Sequence, residues 1–155
     1  MGGVNLHTKG KYKCILLIDD KEVDTFIAKR TMELHHFSDN IIIKQSCTEA
    51  LKFLSEKFKN QNDFPDFIFL DLFMPVQSGY DFLDAYSKIP KRKKGKCKLI
   101  VLSVQINEDK VQNFLKNQDI YTLLQKPLTK GALNALTDLQ NIQGKFVRKV
   151  MLKYY

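Results

Sequence analysis

The sequence predicts an α/β fold, a doubly wound (βα)5 domain on one parallel sheet, and three observations predict it. Five short apolar runs alternate with segments whose apolar residues recur at helical spacing. The runs show little polar alternation, as expected of strands covered by helices on both faces of a sheet. The chain has 155 residues, 44% hydrophobic and 27% charged, which suits one globular domain with a buried core.

The elements follow in order. Cys14 to Ile18 reads as the first strand, and Val23, Phe26, Ile27 and Leu34 then form one apolar helix face of the kind that packs on a core. Ile41 to Ile43 is the second strand. Ala50, Leu51, Leu54 and Phe58 form the second helix face, with Ser46 and Glu49 spaced as a capping box. Phe67 to Leu70 is followed by Phe82, Leu83, Tyr86 and Ile89, and Leu99 to Leu102 by Val111, Phe114 and Leu115. Asn107 is placed to cap that fourth helix, whose first turn holds Glu108 and Asp109 at the positive end of the helix dipole. Tyr121 to Leu124 is the last strand, and Thr129 caps a helix carrying Leu133 and Leu136.

Several classes are excluded. No apolar run approaches the roughly 20 residues of a membrane helix, and no basic-then-apolar leader is present. Cys14, Cys47 and Cys97 lie far apart without Cys-x-x-Cys or histidine spacing, which argues against a disulfide framework or zinc site and for a reducing cytoplasm. The formal charge of +8 raises nonspecific affinity for anionic partners without identifying one.

In doubly wound sheets the functional crevice lies beyond the carboxyl ends of the strands. Those ends here read Asp19-Asp20, Asp71, Ser103 and Lys126-Pro127. An Asp after a strand is often only a turn former or cap, but the ordered set brings three carboxylates against one ammonium. Such a pocket, at about −2, invites a proton or a divalent cation, and oxygen-only ligands favour Mg²⁺. A carboxylate held beside Mg²⁺ and a lysine is suited to attack a phosphoryl group, giving an acyl phosphate.

On these residues the chain resembles the receiver domain of two-component response regulators, over roughly residues 12–140. The matching motifs are Asp19-Asp20, Asp71-Leu72-Phe73-Met74-Pro75 with Gly79, then Ser103 and Lys126-Pro127, spaced 51, 32 and 23 residues apart from Asp20 onward. The resemblance implies a flavodoxin-like sheet of order 2-1-3-4-5. It makes Asp71 the phosphoacceptor, with Asp20 a direct metal ligand, Asp19 assisting through water, and the Phe73 backbone carbonyl contributing to Mg²⁺. Ser103 and Lys126 would bind phosphoryl oxygens, and the Lys126-Pro127 bond would be cis. The implied donor is a histidine kinase or phosphotransfer protein.

Three positions depart from the family pattern. Leu123 stands where an aromatic switch residue is usual, with Tyr121 expected on the same strand face one pleat away. Val104 adds bulk after Ser103, so slower phosphorylation by small donors is expected. Phe73 and Gln105 occupy the positions that tune hydrolysis in receivers, and an apolar Phe73 cannot orient an attacking water, so a long-lived phosphoryl group is expected.

The resulting expectation is a single-domain response regulator that signals by conformational change to an unknown downstream protein, with no DNA-binding domain or membrane span, and with a homodimer open. Residues 1–11 read as an extension and 141–155 as a basic amphipathic tail, too short for an output domain. The alternatives are a phosphorylation-independent adaptor of the same fold and a Mg²⁺-dependent phosphohydrolase. The Asp-x-Asp motif of the latter is missing from Asp19-Asp20-Lys21-Glu22. A flavin or nucleotide binder lacks its phosphate loop after strand one. The basic run from Lys91 to Lys98 reads first as a solvated loop and second as a docking patch for an acidic partner or nucleic acid. His7, His35 and His36 receive no role.

Overall fold

A computed structural model describes residues 9–57 and 63–141. Five parallel strands, β1 (Ile15–Ile18), β2 (Ile41–Lys44), β3 (Phe67–Asp71), β4 (Lys98–Ser103) and β5 (Ile120–Gln125), lie in the order β2-β1-β3-β4-β5. The helices among the described residues are α1 (Glu22–Leu34), α2 (Cys47–Lys57), α3 (Gly79–Ser87), α4 (Lys91–Lys94), α5 (Glu108–Lys116) and α6 (Lys130–Asn141). None of them is long and apolar enough to cross a membrane.

Successive strand residues point to opposite faces, and the apolar runs therefore divide between two cores. Leu16, Ile18, Ile68, Leu70, Leu99 and Val101 pack with residues of α2, α3 and α5, among them Leu54, Phe82 and Phe114. Ile15, Leu17, Phe67, Phe69, Ile100 and Leu102 pack with Ala28 and Met32 of α1 and Leu133 and Leu136 of α6. Burial on both sides is why these strands read as unbroken apolar runs.

Capping follows the sequence in part. Asn107 and Thr129 accept the Lys110 and Ala132 N–H groups at 2.8 and 3.2 Å. Ser46 accepts the Glu49 N–H at 3.2 Å, but the Glu49 carboxylate takes the Gln45 N–H rather than that of Ser46, so the expected box is half formed. At α3 the Ser78 N–H and hydroxyl both donate to Asp81.

Three expectations are corrected. Val23, Phe26, Ile27 and Leu34 do not face the core: Val23 and Phe26 are 70% and 69% exposed, and Ile27 and Leu34 are also exposed. The inward stripe of α1 is Thr25, Ala28 and Met32. Thr25 can be buried because its hydroxyl donates to the Glu22 carbonyl at 2.9 Å, so the choice falls on residues that fit against the sheet rather than on the most apolar ones. Tyr121 does not share a face with Leu123. Leu99 pairs with Ile120 but Ile100 with Thr122, so Tyr121 is the extra residue of a bulge and turns to the other core. Finally, the basic run is no uniform solvated loop. It contains α4, and Lys94 is buried, with Nζ 2.6 Å from Asp119 Oδ1 and 4.3 Å from the Tyr86 ring centroid. Phe58, His7, and the tail from residue 142 lie outside the described residues, as does the Leu115 side chain.

Candidate functional site

The carboxyl end of β1 delivers Asp19 and Asp20, and the neighbouring β3 ends on Asp71. One oxygen from each lies within 4.8 Å of the others. Asp19 and Asp71 are buried. The first bonds are local: Asp19 Oδ1 accepts the Lys21 N–H at 2.9 Å and Asp71 Oδ1 the Phe73 N–H at 3.0 Å. Each carboxylate is thereby oriented by the turn that follows its strand, leaving its second oxygen for the crevice.

Lys126, from the end of β5, reaches across to supply the cation. Its Nζ donates to Asp19 Oδ2 at 2.6 Å, Asp24 Oδ2 at 2.9 Å and Asp71 Oδ2 at 3.1 Å. The Lys126–Pro127 bond is cis, and the Lys126 N–H donates to the Ser103 carbonyl at 2.8 Å, which ties β5 to the end of β4. Burial works against the ammonium, but the three carboxylates outweigh it and hold the Lys126 pKa above the ordinary lysine value. Burial likewise pushes the Asp19 carboxyl up, with Asp71 adding and Lys126 and the Lys21 N–H opposing.

Asp24 is the residue that the sequence reading missed. It lies in the first turn of α1, and its place beside Lys126 follows from how that helix packs, so the sequence carried no direct signal for it. With it the site holds four carboxylates (Asp19, Asp20, Asp24 and Asp71) and one ammonium (Lys126), formally −3.

Among the described residues, Asp20 Oδ1 is buried without a hydrogen-bond partner. An orphaned buried carboxylate oxygen beside two further carboxylates is the donor set of a hard divalent cation, which fits Mg²⁺.

Ser103 stands at the end of β4 and is buried, but its hydroxyl donates to the Gln105 carbonyl at 2.8 Å rather than to any of the carboxylates. Phe73 projects from the β3–α3 loop with its ring half exposed. Gly79 lets that loop close: a Cβ there would sit 2.7 Å from the Asp71 carbonyl oxygen and the Leu72 Cα. A cleft of about 370 Å³ opens beside Asp20, between Ser46 and Thr48 on one side and Met74 to Gln77 on the other.

Comparison with known proteins gives a consistent result. The family model of the response regulator receiver domain matches residues 15–138. Response regulator Rcp1 of Synechocystis sp. is 28% identical over 100 residues, 64% of this chain and 67% of that protein. The crystal structure of a two-component response regulator from Cytophaga hutchinsonii superposes with a TM-score of 0.77 at 25% identity, covering 85% of this chain and 99% of that one. A Mn²⁺-bound form of Rcp1 shares the fold, with a TM-score of 0.59 at 24% identity over 87% of this chain and 96% of its own.

Proposed function

The chain belongs to the response regulator receiver domain family, and from that membership we propose that it is a phosphoacceptor switch in which Asp71 is the acceptor. The observation that carries this reading is the geometry at Asp71. One oxygen is held by a backbone N–H and the other by the Lys126 ammonium, beside a partnerless buried oxygen of Asp20.

The donor is a phosphohistidine of a histidine kinase or phosphotransfer protein. An Asp71 oxygen attacks phosphorus, the P–N bond breaks with its electron pair returning to the imidazole, and an acyl phosphate remains on Asp71. Asp19, Asp20, Asp71 and the Phe73 backbone carbonyl would hold Mg²⁺. When bound, that ion neutralises charge on the phosphoryl oxygens. The Lys126 ammonium follows its Asp71 partner onto a phosphoryl oxygen, loosening its bonds to Asp19 and Asp24. The Ser103 hydroxyl leaves the Gln105 carbonyl and donates to another phosphoryl oxygen. These two movements transmit a local charge of roughly −1.5 to −2 to the β4–α5 loop, and a partner protein reads the altered surface. The receiver unit spans 12–140, flanked by the 1–11 extension and the 141–155 basic tail, and it works in the cytoplasm.

Intact-mass spectrometry after incubation with acetyl phosphate and Mg²⁺, beside Asp71→Asn, tests the reading. A single phosphoryl adduct on the unsubstituted protein and none on the variant is expected. An adduct that persists on Asp71→Asn removes Asp71 from the role, and no adduct from either acetyl phosphate or a phosphohistidine donor removes the switch itself.

A further inference from the structure

Lys110 occupies the first turn of α5, where a cation is disfavoured by the helix dipole. Its backbone N–H is committed to the Asn107 cap at 2.8 Å, while its side chain turns back toward the phosphoacceptor. There Nζ donates to the Gln105 carbonyl at 3.3 Å and lies 4.9 Å from the Phe73 ring centroid. Gln105 O is the same atom that accepts the Ser103 hydroxyl, and Phe73 is the residue whose N–H holds Asp71 Oδ1. One ammonium thus links the β3–α3 loop to the β4–α5 loop, touching the Phe73 ring and the carbonyl that the Ser103 hydroxyl must leave to reach a phosphoryl oxygen.

We propose that Lys110 is a positioning residue of the phosphoacceptor site: its ammonium latches the Phe73 ring to the Gln105 carbonyl that parks the Ser103 hydroxyl, and so governs how fast Asp71 gains and loses phosphate. This rests on the phosphoacceptor reading of Asp71. A ring pinned by a cation resists the swing that would admit a small donor or an attacking water. The same ammonium fixes the Gln105 carbonyl in the place where it accepts the Ser103 hydroxyl, so the parked arrangement is held ready for Ser103 to return to.

The test compares Lys110→Ala, Lys110→Gln and Lys110→Arg with the unsubstituted protein for two rates: adduct formation from acetyl phosphate with Mg²⁺, and adduct loss after donor removal, both by intact mass. Lys110→Ala is expected to accelerate both about two- to fivefold, the size of one solvent-accessible cation–ring contact. Lys110→Arg, which keeps the charge over the ring, is expected to restore the original rates. Lys110→Gln, which keeps a donor for Gln105 but no cation, is expected to restore them only in part. In a Phe73→Leu background, where the ring is gone and apolar bulk remains, Lys110→Ala should add less than it does alone. Equal rates for Lys110→Ala and the unsubstituted protein overturn the latch while leaving Asp71 as acceptor. So does an undiminished Lys110→Ala effect in Phe73→Leu. Absence of any adduct on the unsubstituted protein overturns the phosphoacceptor reading and the latch with it. Far-ultraviolet circular dichroism checks that each variant is folded, as the partly exposed position of Lys110 leads one to expect.

Discussion

At the residue scale, the ammonium of Lys126 and the orphaned oxygen of Asp20 are complementary consequences of packing four carboxylates around one cation. Lys126 is fully engaged by Asp19, Asp24 and Asp71, which leaves Asp20 to be satisfied from outside the chain. Mg²⁺ or Mn²⁺ is therefore expected to raise the melting temperature of the unsubstituted protein, and Asp20→Asn to abolish most of that rise; scanning calorimetry with and without metal measures both. The lysine also makes a pH prediction. Its folded pKa lies above the ordinary value of 10.5, so the stabilisation it gives is complete below that value and is lost as pH rises toward the folded pKa. The stability difference between the unsubstituted protein and Lys126→Met, from urea titrations, should narrow as pH rises above that ordinary value. That Asp19, Asp20, Asp71 and Lys126 come together was legible in the sequence because each follows an apolar run, and the topology sends such ends to one edge of the sheet; Ser103 ends β4 at that edge but turns its hydroxyl to Gln105. Asp24 was not legible, because it belongs to a helix whose rotation only packing decides.

At the scale of elements, strands were more legible than helix faces. A strand buried on both sides is apolar whichever way it turns, whereas α1 has two candidate faces, and the sequence advertises the larger side chains of the wrong one. The prediction is direct: Met32→Ala, which empties a fully buried position, should cost about 2–5 kcal/mol, while Phe26→Ser should change stability by no more than about 0.5 kcal/mol. Chemical denaturation of the two variants decides it. The bulge at Tyr121 was illegible for a related reason, since register depends on the partner strand as well as on the run itself. The turn before α3 gives a further prediction. At Gly79 an added Cβ would meet backbone atoms at 2.7 Å as well as the Leu72 side chain at 2.9 Å, and the backbone cannot yield as a side chain can, so Gly79→Ala should destabilise by roughly 1–3 kcal/mol and slow phosphorylation at Asp71 together.

At the scale of the whole molecule, the (βα)5 architecture was readable because alternating periods leave few ways to wind five parallel strands, while the order 2-1-3-4-5 came from the resemblance to receiver domains. What composition could not tell was where the surplus positive charge is structural. Lys94 spends its charge holding α4 to Asp119 and Tyr86, and Lys98 stands 4.5 Å from the Tyr121 ring centroid. Lys94→Ala leaves Asp119 without its cation in a partly buried place and should cost about 1–3 kcal/mol. Arg92→Ala, in the same run but exposed, should cost at most about 0.5 kcal/mol. Thermal melts of both variants would separate anchor from ornament.

Lys126 lies 107 positions after Asp19 and 55 after Asp71 in the chain, and reaches both only once β5 has docked beside β4. During synthesis the acids emerge from the ribosome long before their cation. A chain lacking the last strand has mutually repelling acids with no lysine to gather them, so the ion-paired crevice is the last part of the molecule to be completed.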